Sequence, residues 1–138
     1  MSRFLLDTNV ISETRKPKPH GGVLAWILAQ EAAQICLPAL VFGEIQTGIE
    51  LLRPSNPSQA SSIEEWLREL EVSSRILVMD AACFRAWARL MWKKSPELAF
   101  DAMIAATAQV HNLTVVTRNV RDFAKFGVPL LNPFEYRV

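Results

Sequence analysis

The acidic residues Asp7, Glu44, Asp101 and Asp122 carry the side chains of this sequence that are best suited to chemistry. Asp7 ends a short apolar run that is typical of a buried strand. Asp101 is the one charged residue in the apolar helical stretch over 98–110, and Asp122 follows a polar Thr-Arg-Asn triplet. Carboxylates serve as bases, nucleophiles and ligands of hard metal ions, so their arrangement in space decides which role they take.

Each of these acids also has an ordinary structural explanation. Asp7 can cap the helix that follows it, and Asp122 can complete a capping box with Asn119. Glu44 can be a surface residue beside an apolar helix stripe. Asp101 can be protonated or paired with a distant arginine, because an unpaired buried carboxylate is costly. Taken residue by residue, the sequence leaves these alternatives open.

The elements that must position these acids follow from the hydrophobic pattern. Short apolar runs alternate with helical periodicity, which predicts one α/β domain over residues 1–138 with a central parallel sheet of four to five strands. Pro38 suits the first position of the third helix, and Gly43 and Gly48 would let a backbone or substrate approach. The predicted strands cover 4–6, 34–37, 76–79, 113–117 and 128–131, and the helices cover about 9–15, 23–31, 38–52, 59–74, 80–94 and 97–111.

The predicted topology brings the acids together. Asp7 and the polar corner over 117–119 both follow strands, and the carboxyl ends of parallel strands share one edge of the sheet. Glu44 and Asp101 lie near the starts of helices that can reach the same edge. Four convergent carboxylates cannot all stay ionised without cations, and oxygen ligands suit Mg²⁺ or Mn²⁺. A pair of such ions can activate a water and neutralise the leaving oxygen of a phosphodiester.

Composition excludes several other classes of protein. The chain has 138 residues, half of them apolar, and a net charge of +1, so its bulk charge predicts no polyanionic partner. Cys36 and Cys83 lie in apolar surroundings without metal-ligand spacing, which is typical of reduced core residues in a cytoplasmic protein. No apolar run approaches the roughly 20 residues of a membrane span, and no signal peptide is predicted.

The helix predicted over 80–94 has two distinct faces. Its apolar residues recur on one face, which is made of Phe84, Trp87, Ala88 and Met91. Its basic residues recur one turn apart on another face, which is either solvated or able to contact phosphates; they are Arg85, Arg89 and Lys93.

Four motifs of the sequence resemble PIN-domain ribonucleases. They are Leu5-Leu6-Asp7-Thr8-Asn9-Val10 at the start, Glu44 with Gly48 four residues later, Asp101-Ala102-Met103-Ile104-Ala105-Ala106-Thr107-Ala108, and Thr117-Arg118-Asn119-Val120-Arg121-Asp122-Phe123. Their order and spacing are most similar to the VapC-like and FitB-like toxins of bacterial toxin–antitoxin pairs. The resemblance covers essentially the whole chain. Phe100 departs from it, because a small or polar residue is common before the third acid.

The resemblance implies a three-layer α/β/α sandwich and a metal-dependent endoribonuclease that cuts single-stranded RNA. It implies Asp7, Glu44, Asp101 and Asp122 as ligands of one or two Mg²⁺ or Mn²⁺ ions. It also implies an antitoxin partner, and a homodimer or a larger toxin–antitoxin assembly, with no membrane association. The supporting polar residues would be Asn9, Thr117 and Asn119, and the candidate RNA contacts are Arg118, Arg121, Arg85 and Arg89, with Lys93 and Lys125 beside them.

Two other functions compete with a nuclease. One is a non-catalytic module of the same fold that binds RNA or a protein partner. The other is a phosphatase that uses Asp7 as its nucleophile. The phosphatase ranks last, because Asn9 stands where such enzymes carry a second aspartate.

Overall fold

The centre of the molecule is a sheet of five parallel strands in the order β3-β2-β1-β4-β5. The computed structural model describes residues 3–137. The predicted α/β fold with a central parallel sheet is confirmed, although every predicted strand but the first is longer than the observed one or displaced from it. The strands are β1 (Phe4–Leu6), β2 (Ile35–Pro38), β3 (Ile76–Leu77), β4 (Thr114–Val116) and β5 (Leu130–Leu131).

Helices connect consecutive strands, as parallel pairing requires. Four short 3₁₀ turns accompany them, over Ala32–Gln34, Pro96–Leu98, Ala124–Phe126 and Pro133–Glu135. The helices are α1 (Thr8–Glu13), α2 (Gly21–Ala29), α3 (Leu40–Leu52), α4 (Pro57–Ser73), α5 (Ala81–Met91), α6 (Ala99–His111) and α7 (Val120–Phe123).

The strand order places a topological switch between β1 and β4. The chain moves from β1 to β2 and β3 in one direction, then crosses back to β4 and β5. Right-handed crossovers therefore put α1–α4 on one face of the sheet and α5–α7 on the other. The helix packing agrees, since α3 packs against α1 and α4, while α6 packs against α5 and α7.

The two middle strands lie in the core and fix the register of the site. Leu6 of β1 pairs with Val116 of β4, so the residues that follow, Asp7 and Thr117, are neighbours at the carboxyl edge. The backbone N–H of Asp7 continues the ladder by donating to the carbonyl of Val116 at 2.9 Å. Leu5 is completely buried at the centre of this sheet.

Two details of the helices differ from the sequence predictions. Pro38 is the last residue of β2 and not the first of α3, because it is buried in the sheet and the helix begins at Leu40. In α5, Cys83 and Ala86 are buried, and Trp87 and Met91 of the predicted apolar face are partly buried against the core. The other two residues of that face, Phe84 and Ala88, are exposed. The face that packs on the core is therefore rotated by about one residue from the apolar face that the sequence predicts.

Within the part of the chain that the structure describes, no backbone makes the predicted close approach to α3 at Gly43 or Gly48. A Cβ atom added at Gly43 or Gly48 would meet nothing within 4 Å. The close approach is instead at Gly22, where an added Cβ would lie 3.0 Å from the carbonyl oxygens of both Pro133 and Tyr136. Gly22 thus lets α2 pack directly on the last turn of the described chain.

Both cysteines are buried and unpaired, as predicted. Over residues 3–137, none of the helices has the length and apolar character that crossing a bilayer requires.

Candidate metal-binding acidic site

Asp7 lies at the switch point, where α/β sheets commonly bind their ligands. Only 7% of its surface is exposed. Its Oδ1 accepts from the backbone N–H of Thr8 at 2.8 Å, and its Oδ2 accepts from the Thr117 hydroxyl at 2.8 Å and the Asn9 amide at 3.2 Å. Asp7 does cap α1, but the second oxygen is held by a residue 110 positions away. Capping alone does not explain that second set of contacts.

Glu44 is drawn to the same edge by a contact that the sequence analysis missed. The hydroxyl of Thr8 donates to Glu44 Oε1 at 2.9 Å, which joins the start of α1 to α3. The available signal was that Thr8 directly follows Asp7, so a hydroxyl in the first helical turn shares the carboxyl edge of the sheet. Glu44 is only half-buried, which leaves part of its carboxylate open to solvent.

Asn119 joins the two remaining acids. Its side-chain amide donates to Asp122 Oδ2 at 3.0 Å and lies 3.5 Å from Asp101 Oδ2. Its backbone N–H donates to the Thr117 hydroxyl at 2.9 Å, so the same threonine orients both Asp7 and Asn119. The capping-box alternative for Asp122 is therefore wrong, because the Asn119 N–H is bonded to Thr117.

The electrostatics of the site follow from its burial and crowding. Burial raises the pKa of Asp7 and of Glu44, and the charge of Asp7 raises that of Glu44 further. The pKa of Asp101 is raised to about 6, first by burial and then by the charges of Asp7, Asp122 and Glu44. The charges of all four acids therefore interact at this one edge of the sheet.

A buried acid elsewhere in the chain shows how a purely structural carboxylate is satisfied. Glu13 forms an ion pair with Lys16 at 2.9 Å and accepts from the backbone N–H of His20 at 3.0 Å. Within residues 3–137, Asp7, Glu44 and Asp101 have no such ion pair, and their hydrogen-bond donors are neutral. The alternative of a salt bridge from Asp101 to a distant arginine is therefore wrong for the described chain.

The donor set suits a hard divalent cation. All four acids offer oxygen ligands, and within residues 3–137 no lysine or arginine forms an ion pair with Asp7, Glu44 or Asp101. Among the described residues, no group of three or more His, Cys, Asp or Glu side chains lies close enough together to hold a metal ion by itself. Water commonly completes the coordination of Mg²⁺, which needs few protein ligands.

Two clefts meet at Glu44. One, of about 500 Å³, is lined by Leu40, Gly43, Glu44, Thr47 and Phe100, and a second lies on the Thr8 side of the same carboxylate. Phe100 is 56% exposed at the rim of the first cleft. An apolar cavity of about 240 Å³ between α2 and α4 has no acidic residue in its lining, so it does not belong to this site.

The basic residues are distributed unevenly around the acids. Arg118 is linked to the site through Asn9, because its backbone N–H donates to Asn9 Oδ1 at 3.2 Å, and its guanidinium lies over the Phe134 ring at 4.6 Å. Arg121 is exposed on α7. Lys125 forms an ion pair with Asp122 at 3.7 Å. Arg85 and Arg89 are exposed on α5, and no described hydrogen bond or ion pair links either of them to the acids.

Comparison with known proteins gives one consistent answer. The sequence matches the PIN domain family over residues 4–129. It is 37% identical to the plasmid stability protein StbB of Pseudomonas syringae pv. tomato, over 96% of this chain and 99% of that protein. It is 34% identical to the toxin FitB of Neisseria gonorrhoeae, over 95% and 98% of the two chains. It is also 34% identical to the VapC ribonuclease Y4jK of Sinorhizobium fredii, over 96% and 98%.

The fold comparison agrees with these relatives. The structure of FitAcB from Neisseria gonorrhoeae contains a chain that superposes with a TM-score of 0.84 and 33% identity. The alignment covers 96% of this chain and 99% of that one. The parallel sheet and the acidic residues at its switch point agree with this match in sequence and fold. This chain belongs to the PIN domain family.

Proposed function

We propose that this protein is a metal-dependent endoribonuclease that hydrolyses single-stranded RNA, and that it acts as the toxin of a toxin–antitoxin pair. The observation that carries the proposal is that the charges of Asp7, Glu44 and Asp101 interact at one edge of the sheet, while no basic side chain of the described residues forms an ion pair with them. The names of two relatives support it, since one is called a toxin and another a ribonuclease. One or two Mg²⁺ or Mn²⁺ ions would neutralise the cluster.

Asp7, Glu44, Asp101 and Asp122 are the proposed metal ligands. When bound, the ions would lower the pKa of an attacking water and offset the negative charge that develops on the phosphate. Asp7 is the most rigid member, because Thr117, Asn9 and the Thr8 backbone hold both of its oxygens.

The neighbouring polar side chains have positioning roles in this proposal. Thr117 keeps Asp7 and Asn119 in register, and Asn119 keeps Asp122 turned towards Asp101. Such groups around metal ligands commonly affect metal affinity or activity by roughly 10- to 100-fold. Thr8 holds Glu44 in the same way and joins this set.

RNA would be bound through its phosphates. Arg118 is the first candidate, since the Phe134 ring and the Asn9 contact hold it beside the acids. Arg121 lies three residues further on, at an exposed position of α7. Neutralising a true phosphate contact should lower the salt dependence of RNA binding, because fewer counterions are released. Arg85 and Arg89 provide the comparison, since an unchanged salt slope there would remove α5 from the binding surface.

A toxin of this kind needs an inhibitor in the cell that makes it. We therefore propose a cognate antitoxin protein as partner, and a homodimer or a larger toxin–antitoxin assembly as the working form, in the cytoplasm. The structure of FitAcB, from a relative that carries the name toxin, supports such an assembly.

The test is cleavage of single-stranded RNA by the purified chain with Mg²⁺, Mn²⁺ or EDTA. The wild type should cut only with a divalent ion, and Asp101→Asn should reduce cleavage by at least roughly 100-fold. Asp80→Asn is the matched control, because Asp80 is also an aspartate at the start of a helix but caps α5 away from the acids. Its rate should match that of the wild type.

Two results would contradict the proposal. Cleavage that persists in EDTA would exclude a role for divalent ions, and wild-type activity of Asp101→Asn would exclude the proposed ligands. A chain that cuts no RNA with either ion but still binds it would instead support the non-catalytic alternative.

A further inference from the structure

Phe100 is an exposed aromatic residue in a position that core packing does not explain. It follows the first residue of α6, whose inner face is made of small side chains such as Ala102 and Ala105. More than half of the Phe100 surface is open to solvent. Other large apolar residues of this chain are also exposed, so exposure alone does not indicate a binding role for Phe100.

What distinguishes Phe100 is its position between the acids and a cleft. It directly precedes Asp101, and it lines the cleft of about 500 Å³ whose opposite wall is formed by α3 with Glu44. A volume of this size lies within the range of small-molecule pockets, roughly 300–1,000 Å³. The ring therefore borders a cleft that is lined by Glu44 and by the residue next to Asp101.

The chemistry of the lining selects the part of a nucleotide that can enter. Leu40 and Phe100 are apolar, Gly43 adds no side chain, and Glu44 is the one charged residue. A phosphate placed deep in this cleft would be repelled by Glu44 unless a cation lay between them. A flat, uncharged base meets no such repulsion, and aromatic side chains are the usual stacking partners of unpaired bases.

We propose that Phe100 stacks on the unpaired base next to the scissile phosphate and so positions single-stranded RNA in the site. This inference rests on the proposed ribonuclease function and adds a substrate contact to it. Stacking tolerates any base, but a purine offers the larger ring face. The cleft therefore requires an unpaired base at that position and favours a purine there.

The experiment uses a single-stranded oligoribonucleotide with a mapped cleavage site and a set of matched oligonucleotides in which one flanking base at a time is removed. For the wild type, one abasic position should lower kcat/KM by roughly 5- to 150-fold, the range expected for losing one stacked base. Phe100→Ala should show a similar loss on the intact RNA and no further loss on that abasic RNA. Phe100→Trp should restore both the rate and the sensitivity to the missing base.

Phe84→Ala is the matched control, because Phe84 is an exposed phenylalanine on α5, outside the cleft. It should keep wild-type kcat/KM and full abasic sensitivity. The stacking proposal is overturned if Phe100→Ala remains as sensitive to the missing base as the wild type. It is also overturned if Phe100→Ala changes only the oligomeric state or the binding of a protein partner. Absence of cleavage by the wild type with either metal would instead overturn the proposed function, and the stacking proposal with it.

Discussion

Replacing Asp101 with asparagine should make the metal-free protein more stable at neutral pH. The substitution keeps the size of the side chain and removes one charge from the acidic cluster. In the folded protein the pKa of Asp101 is about 6, above its ordinary value of 3.8, because of burial and three neighbouring negative charges. The folded state therefore holds the Asp101 proton more tightly than the unfolded state does.

The sign and size of the effect follow from this difference. Well below pH 3.8 the carboxyl is protonated in both states and costs nothing. The cost to the folded state grows as the pH rises from 3.8 to about 6 and is fully present above that. Moving a pKa from 3.8 to about 6 corresponds to about 3 kcal/mol at most. Asp101 is only half-buried, so solvent screening reduces this to about 1–2 kcal/mol. Asp101→Asn should gain this amount at pH 7.5 in EDTA.

Adding a divalent metal ion should make the wild type more stable than Asp101→Asn. An ion that binds only the folded state at 100 times its Kd stabilises it by about 2.7 kcal/mol, and the variant lacks a ligand for that ion. Urea unfolding at pH 4, 6 and 7.5, with EDTA or with excess MnCl₂, measures both effects. Asp80→Asn is again the control, since the Asp80 pKa is lowered by its capping bond to Cys83 and its loss relieves no repulsion. The reasoning fails if Asp101→Asn is no more stable than the wild type in EDTA at pH 7.5.

Three further outcomes are expected. Thr117→Val removes the buried hydroxyl that donates to Asp7, and should cost about 1–3 kcal/mol of unfolding free energy in urea while weakening Mn²⁺ binding in calorimetry. Gly22→Ala places a Cβ 3.0 Å from two carbonyl oxygens and should cost about 1–3 kcal/mol in urea, whereas Gly21→Ala, with nothing within 4 Å, should be neutral or stabilising. Asn112→Ala puts alanine at a φ of 57° and should lower thermal stability by about 1 kcal/mol; an unchanged melting temperature would contradict the left-handed helix end.

The fold was predictable because its strands and helices have strong and separate patterns. Phe4–Leu6 is a short apolar run that ends at a charge, and α6 is apolar on nearly all sides, so each admits one interpretation. The boundaries were less predictable: Pro38 fits a helix start locally, but the pairing of β2 with β3 retains it in the sheet. That pairing is a long-range interaction, which local propensity does not contain.

The acids of the site were predictable, but their contacts were not. Asp101 can be recognised in the sequence because it is a charged residue within an apolar helix, where a buried carboxylate needs a partner. The bond from Thr8 to Glu44 joins residues 36 positions apart, and the Arg118 guanidinium lies over Phe134 of the C-terminal turn. Both depend on how helices pack on the sheet, and no spacing rule contains that information. The metal-binding and catalytic roles of the four acids stay predictions until the experiments above are done.

The pairing of β1 with β4 has a consequence for synthesis on the ribosome. Asp7 is translated first, yet the hydroxyl that holds it belongs to Thr117, and the strand that carries Thr117 to it spans Thr114–Val116. A nascent chain that has not reached this strand cannot assemble the acidic edge, although three of its four acids already exist. A chain of this topology that harms its own host when folded would therefore be harmless during most of its translation, and termination before Thr114 would leave a fragment without the assembled site.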